Sequence, residues 1–510
     1  YMPRPVALVI LDGWGLGPQN EANPIHVVDP PVFKLLREAY PMTSLQASGI
    51  SVGLPWGEVG NSEVGHLTLG AGKVVYQYYP KISLALRDGS FFENPVLKSA
   101  FEHARANGSA VNLVGLLTKA NTHASVEHLA GLIQMGEKEG VPVKLHLFAD
   151  GLDSPPKSLL ELLGRLPQER IGSLTGRYYA MDRNGNWNLI QKAYNCMTGS
   201  EGQETPDVAA ALEFFFKKGM SEEFLPPLRP HPELAIADKD ALIFFNFRED
   251  GMREMAEAFL GSDFSEFPRR EIRDLKIVMF TRYEDKWDAP VAFPADMVER
   301  PLGQVLAEAG KSQLRLAESY KYAHVTYFFN GHREPPFPGE YRAVVPSMNV
   351  THPDEHPELM ASAVTDRLLE AIQNRGFDFM LVNYSNPDTI AHTGNYQACL
   401  ETVRVIDREM DRVLSAAKAA EVNLIITADH GNLEQVLNPG TGRAETQHDS
   451  SPVPLYLVGP GFAGRKFANW RNIDNETMGI LSDVAPTILE LMDIPIPPEM
   501  NGRSLLSGLV

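Results

Sequence analysis

Three aspartates and three histidines stand where apolar runs end, and together they make a donor set for metal ions. Asp388 and His392 lie four residues apart in Asn386-Pro387-Asp388-Thr389-Ile390-Ala391-His392. In a helix both would point to one face; in a loop they can still converge. Asp429 and His430 adjoin just after the run Asn423–Thr427, and Gly431 is expected to let the backbone turn tightly there. His448 follows in a polar loop, and Asp12 opens Asp12-Gly13-Trp14-Gly15 after Val6–Leu11. Taken singly, an Asp-Gly is a turn and a loop histidine is a solvated side chain. Taken together, the six point to a two-metal site, and carboxylate with imidazole suits Mn²⁺ or Zn²⁺ better than Ca²⁺.

Gly57-Glu58-Val59-Gly60-Asn61-Ser62-Glu63-Val64-Gly65-His66 is a glycine-punctuated loop centred on a serine. A serine at a helix start has backbone N–H groups behind it that can face a phosphate. Ser62 also reads as the capping residue of that helix, with Glu63 in its first turn, and the two readings are compatible. A serine hydroxyl is a weak nucleophile at its free pKa, and metal coordination is one way to activate it. Ser62 is therefore the candidate nucleophile of a metal-assisted group transfer.

Presenting these residues together calls for a parallel sheet, whose ligands collect at the carboxyl ends of its strands. Apolar runs alternate with helical patterns throughout, as an α/β architecture requires. The runs are Val6–Leu11, Ala110–Leu116, Val143–Phe148, Leu242–Phe247, Lys276–Phe280, Phe379–Asn383 and Asn423–Thr427. Asp150, Arg248, Asn386 with Asp388, and Asp429 follow four of them. At 510 residues the chain exceeds one ordinary core. Pro-rich polar stretches at Tyr76–Pro80 and Asp285–Pro294 read as the two linkers of an inserted domain. Residues 1–75 and 297–510 would then form one discontinuous domain and 76–296 the other.

Composition narrows the function classes. A 44% hydrophobic and 22% charged chain is built to fold rather than to stay disordered. The apolar run Val6–Leu11 stops at Asp12 with no cleavage site after it, so it reads as a buried strand and not a signal peptide. Tyr1 ahead of Met2 reads as an added residue. No apolar run is long enough to cross a bilayer. Two distant cysteines, Cys196 and Cys399, make a disulfide framework unexpected and a reducing cytoplasm the expected location. A net charge of −19 disfavours nucleic acid and anionic membranes as partners. It also means that a phosphorylated substrate must be met by a local cluster of cations or by metal ions.

Longer motifs carry a resemblance. They include Leu11-Asp12-Gly13-Trp14-Gly15, Ala47-Ser48-Gly49-Ile50-Ser51-Val52-Gly53-Leu54-Pro55 and Gly60-Asn61-Ser62-Glu63-Val64-Gly65-His66. Gly176–Arg183, Phe244–Arg248, Lys321–Thr326, Asn386-Pro387-Asp388 with His392, Ala428–Asn432 and Asp483–Thr487 extend the match over almost the whole chain. In these stretches the chain resembles the cofactor-independent phosphoglycerate mutases of the alkaline-phosphatase superfamily. The resemblance implies an alkaline-phosphatase-like metal domain with an inserted α/β transferase domain. It implies interconversion of 3-phosphoglycerate and 2-phosphoglycerate in glycolysis through a phosphoserine. Two divalent ions are implied, Mn²⁺ or its equivalents Zn²⁺ and Co²⁺, and no organic cofactor. By the resemblance Asp388, His392 and His448 would hold one ion, and Asp12, Ser62, Asp429 and His430 the other. Lys321 would contact the phosphoryl group. His123, Asp153, Arg177, Arg183 and Arg248 would hold the three-carbon acid, with Asp153 as the base that frees the accepting hydroxyl. Domain closure would keep water from the phosphoserine. The expected partner is a small phosphorylated or phosphonylated acid, and the expected chain is a monomer.

The inserted domain departs from that pattern. The family's Ser-Asp-Gly-Gly-Val-His-Ser-His appears as Thr118-Lys119-Ala120-Asn121-Thr122-His123-Ala124-Ser125. Leu152 and Gly251 stand where the family carries arginines, and leucine cannot imitate a guanidinium fork. Arg253 is the nearby cation that would have to reach in. Three readings follow: a working phosphoglycerate mutase; a mutase-like phosphoryl or phosphonyl transferase acting on another small acid, such as a phosphonate or nucleotide-activated acid; and a non-catalytic binding protein. The intact Asp, His and Ser set argues against the last.

Overall fold

The computed structural model describes residues 4–438, 440–473 and 476–510; Tyr1 and Met2 lie outside the described residues. The chain divides into two compact units, Tyr1–Tyr76 with Asp296–Val510, and Gln77–Ala295. Each has its own sheet and its own apolar core.

The first unit holds an eight-stranded sheet in the order Glu340–Val345, Gln313–Glu318, Phe379–Tyr384, Val6–Leu11, Asn423–Thr427, Val453–Val458, Met42–Gln46, Gly479–Ile480. The first five run parallel, and Val453–Val458 is antiparallel to both its neighbours. Every residue of Val6–Leu11 is buried, because helices cover both faces of a parallel sheet and leave no polar side for the strand. The second unit holds a seven-stranded sheet in the order Gln203–Glu204, Leu228–Arg229, Ile171–Gly176, Val143–Ala149, Val111–Leu117, Ala241–Phe244, Lys276–Met279. Its five longer strands are parallel.

Two sequence expectations change. Asp285–Pro294 is not a free linker. Val291 bridges to Met279, and Trp287, Ala289 and Phe293 are buried in the core of the second unit, Phe293 stacking on Phe91 at 5.8 Å. The stretch Tyr76–Pro80 is largely the start of the helix Tyr78–Asp88. Among the described residues no helix is long and apolar enough to cross a membrane. Cys196 and Cys399 are free and buried, and burial pushes both thiols up to about 12.

Candidate active site

In the first unit, four adjacent parallel strands deliver the donors from their carboxyl ends. Gln313–Glu318 leads to Lys321, Phe379–Tyr384 to the helix Asn386–Ala391, Val6–Leu11 to Asp12, and Asn423–Thr427 to Asp429 and His430. The helix carries Asp388 and ends at His392, so the two stack one turn apart, with His392 Nε2 3.2 Å from Asp388 Oδ1. His448 Nε2 lies 3.3 Å from the same oxygen and 3.0 Å from His392 Nε2.

Both rings commit their other nitrogen to the backbone. His392 Nδ1 donates to the Thr446 carbonyl and His448 Nδ1 to the Gly60 carbonyl, each at 2.8 Å. The Nε2 lone pairs therefore face each other, an arrangement that is repulsive unless a proton or a metal ion lies between them. Donors about 2.1 Å from a shared ion stand roughly 3 Å apart, and a histidine ligand usually anchors its second nitrogen as these do. The donor chemistry fits a divalent ion.

A second group adjoins it. Ser62 Oγ donates to Asp12 Oδ1 at 3.0 Å, with His430 Nε2 at 3.1 Å and Lys321 Nζ at 2.8 Å. His430 Nε2 is 3.4 Å from Asp12 and 3.7 Å from Asp429 Oδ2, an oxygen that also lies 3.1 Å from His66 Nδ1. Lys321 Nζ reaches both Asp12 and Asp388 at 2.9 Å. Three buried carboxylates thus face one ammonium, and the imbalance shows in the histidine. Burial opposes a charge on His430, but Asp429, Asp12 and Asp388 outweigh it and push its pKa up to about 10. Burial likewise opposes ionisation of Asp429, yet His430, His66 and Lys321 hold its carboxyl well below the usual range. The pocket attracts cations.

Ser62 is not the helix cap. It is the first residue of the helix Ser62–Ala71, and Asn61 caps it by accepting from the Val64 N–H at 3.0 Å. Gly431 also serves differently from expectation: its Cβ-less Cα lies against Glu434, where an added Cβ would stand 2.3 Å from Oε1. The described structure adds residues that sequence reasoning did not assign. His66 lies one helical turn from Ser62 and near Asp12 and Asp429, but both its nitrogens are taken. Nδ1 donates to the Ser62 carbonyl at 2.8 Å and Nε2 accepts from Asn383 at 3.1 Å. Asn383 also donates to Asp12 Oδ2 at 2.7 Å, and Asn432 to Asp388 Oδ1 at 2.8 Å. These amides orient the carboxylates.

The second unit also gathers polar residues at the carboxyl ends of parallel strands, with other chemistry. His123, Asp150 with Asp153, Arg177, and Arg248 with Asp250 follow the strands Val111–Leu117, Val143–Ala149, Ile171–Gly176 and Ala241–Phe244. Arg177 Nη1 donates to Asp150 and Asp153, each at 2.7 Å, and Nη2 lies 3.3 Å from His123 Nε2. Arg183 and Arg248 both pair with Asp250, at 2.7 and 3.2 Å. Each arginine expected to greet an acid is therefore already matched by an aspartate. Burial, then Arg177, lowers the His123 pKa. A cavity of about 510 Å³ opens here, lined by His123, Leu152, Arg177, Tyr178, Arg183 and Gly251 among others. Arg253 does not reach in; it is turned to Glu249, Glu284 and the Tyr283 carbonyl.

The whole chain has known counterparts. Residues 4–496 match the family model described as the metalloenzyme superfamily. The sequence is 42% identical over 514 residues to a 2,3-bisphosphoglycerate-independent phosphoglycerate mutase of Pseudomonas entomophila, covering 99% of each chain. It is 43% identical over 522 residues to the protein of that name from Thermomicrobium roseum, again covering 99% of each. A solved structure of Leishmania mexicana phosphoglycerate mutase, at low cobalt concentration, is similar at 25% identity and a TM-score of 0.53, covering all of this chain and 98% of that one. With a family model spanning nearly its full length and relatives of this identity, the chain belongs to the metalloenzyme superfamily and, within it, to the 2,3-bisphosphoglycerate-independent phosphoglycerate mutases.

Proposed function

We propose that this protein interconverts 3-phosphoglycerate and 2-phosphoglycerate through a phosphoserine at Ser62, as a monomeric cytoplasmic enzyme loaded with two Mn²⁺ ions. The observation that carries the reading is the inward convergence of Ser62 Oγ with three imidazole Nε2 atoms and three carboxylates. Asp388, His392 and His448 would hold one ion, and Asp12, Ser62, Asp429 and His430 the other. When bound, the ions would supply Lewis-acid stabilisation of the phosphoryl oxygens and lower the pKa of the Ser62 hydroxyl.

The side chains divide the remaining chemistry. Ser62 Oγ attacks phosphorus in line and the glycerate oxygen leaves. The Ser62 hydroxyl proton has Asp12 Oδ1 as its acceptor at 3.0 Å. Lys321, 2.8 Å from Ser62 Oγ, places a positive charge where negative charge gathers on the transferred group. The positive end of the helix that Ser62 begins adds to this field. Arg177, Arg183, Arg248 and His123 hold the acid, and Asp153 takes the proton from the hydroxyl that accepts the phosphoryl group in return and passes it to the glycerate oxygen that left. Free buried cysteines suit a reducing compartment.

One observation favours a second reading, transfer to or from a different small acid. Leu152 is 64% exposed at the cavity and offers no charge, while the two arginines that line it, Arg177 and Arg183, are paired with aspartates. Steady-state interconversion of 2- and 3-phosphoglycerate by the Mn²⁺-loaded protein separates the two. An ordinary kcat/KM, on the order of 10⁴ M⁻¹s⁻¹ or above, supports the mutase. Absence of turnover with Mn²⁺ bound would hand the case to the second.

A further inference from the structure

The two ligand-bearing turns of the first unit meet at a glutamate that the mechanism above does not use. Glu434 is fully buried, and its Oε2 accepts two backbone N–H groups, from Gly15 at 3.0 Å and from Asn432 at 2.9 Å. One N–H belongs to the turn that follows Asp12 and the other to the turn that follows Asp429 and His430. The two turns touch again where Gly13 N–H donates to Asp429 Oδ1 at 3.1 Å and Leu433 N–H to the Gly13 carbonyl at 2.9 Å. Asn432, whose N–H Glu434 holds, in turn donates its side-chain amide to Asp388 Oδ1 at 2.8 Å. One carboxylate is thus linked to the loops of Asp12, of Asp429 with His430, and through Asn432 to Asp388.

The sequence reserves room for that carboxylate. A Cβ added at Gly15 would stand 2.3 Å from Glu434 Cδ, one at Gly17 2.7 Å from Cγ, and one at Gly431 2.3 Å from Oε1. None of these three glycines has a left-handed φ, so space and not backbone conformation excludes a side chain there. Three glycines drawn from both turns enclose one acidic side chain. Its Oε1 has no hydrogen-bond partner. A buried carboxylate used only to fill space would be replaced at less expense by an apolar residue. Burial, and then Asp449, push its pKa up to about 7, in keeping with a group buried for its shape and acceptor atoms.

We propose that Glu434 is a positioning residue of the metal centre, whose carboxylate clamps the Asp12–Gly17 turn to the Asp429–Glu434 turn and so fixes the spacing of their ligands. The proposal rests on the metal-centre reading above, and its test reads metal binding rather than turnover. Groups that orient ligands from behind typically contribute 10- to 100-fold to metal affinity.

The experiment is calorimetric titration of the metal-stripped full chain with Mn²⁺, beside circular dichroism to confirm folding. Glu434→Ala is expected to weaken Mn²⁺ binding about tenfold or more. Glu434→Gln, which keeps the shape and one acceptor oxygen, is expected to stay within about threefold. Gly15→Ala, whose methyl would displace the carboxylate, is expected to weaken binding in the same way. In the Glu434→Ala background the same Gly15→Ala change should add little, because the space is then empty. Parent-like Mn²⁺ affinity in folded Glu434→Ala, or losses that simply multiply in the double variant, would overturn the proposal. Should Glu434→Ala not fold, Gly15→Ala decides, parent-like affinity again overturning it. A parent that takes up no Mn²⁺ would overturn the metal-centre reading itself.

Discussion

The two units place their polar residues alike, at the carboxyl ends of four neighbouring parallel strands, and use the position oppositely. In the first unit three buried aspartates outnumber Lys321, and the excess negative charge pushes the His430 pKa up to about 10. In the second unit Arg177, Arg183 and Arg248 are balanced by Asp150, Asp153 and Asp250, and His123 is pushed towards its neutral form. One site is left short of positive charge and the other is closed on itself. A cluster with unbalanced charge must recruit an ion, whereas a balanced one must give up an internal pair to take an acid.

The largest effect should come from the unbalanced site. Exhaustive chelation is expected to lower turnover by a factor of about 10³ or more and Mn²⁺ to restore it, with metal content followed by elemental analysis. Full activity in metal-free protein would break the contrast. Lys321→Met removes the ammonium that bridges Asp12, Asp388 and Ser62, and should lower kcat by roughly 10²- to 10³-fold, in line with loss of one preorganised donor to the developing charge. A kcat within about threefold of the parent would take Lys321 out of the transfer step.

A smaller effect is expected in the balanced site. Leu152→Arg with Gly251→Arg adds two unpaired guanidiniums to the cavity, and charge-assisted contacts of about 1.5–3 kcal/mol each would together raise kcat/KM on 3-phosphoglycerate by ~100-fold or more. Leu152 can change freely because it is exposed, while a side chain at Gly251 requires the end of Met181 to shift, its Cε standing 2.8 Å from the new Cβ. No gain from the pair would show that the matched arginines already suffice.

How much of this was readable from sequence follows the same physics. Val6–Leu11, Phe379–Tyr384 and Asn423–Thr427 announce themselves because strands buried on both faces are continuously apolar. Met42–Gln46 and Ile171–Gly176 do not, being rich in Thr, Ser and Gly. Gln313–Glu318 is hidden by Arg315, which is fully buried between Phe329 and Phe379 where composition suggests a surface. Asp388 with His392 and Asp429 with His430 were legible because each pair is local. Glu434 was not, since the Gly15 that defines it is 419 positions away. The pairing of every acid-pocket arginine was equally beyond reach, because Arg183 meets Asp250 only in the folded unit.

The smallest effect concerns stability. Burial lowers His128 and His146 of the second unit to about 3. Both therefore bind a proton more readily when unfolded. Their contribution to stability is complete above the unfolded pKa near 6.5 and is lost as pH falls from there towards 3. A tenfold stronger hold on the proton in the unfolded chain corresponds to about 1.4 kcal/mol, so the two histidines should weaken the second unit noticeably by pH 5. His128 sits among Tyr79, Phe247 and Phe280 with Ser83 as its one hydrogen-bond partner. His128→Phe should flatten part of the acid-side slope in denaturant titrations between pH 7 and 5. An unchanged slope would show that other groups set it.

The most direct measurement is capture of the covalent intermediate. The Mn²⁺-loaded protein is mixed with 3-phosphoglycerate, quenched within a turnover, digested and examined by mass spectrometry, beside Ser62→Ala. Phosphate is expected on the peptide carrying Ser62 in the parent and none in the variant, with variant turnover lower by about 10³-fold or more. Turnover by Ser62→Ala within about tenfold of the parent, or phosphate captured on another residue, would contradict a phosphoserine at Ser62.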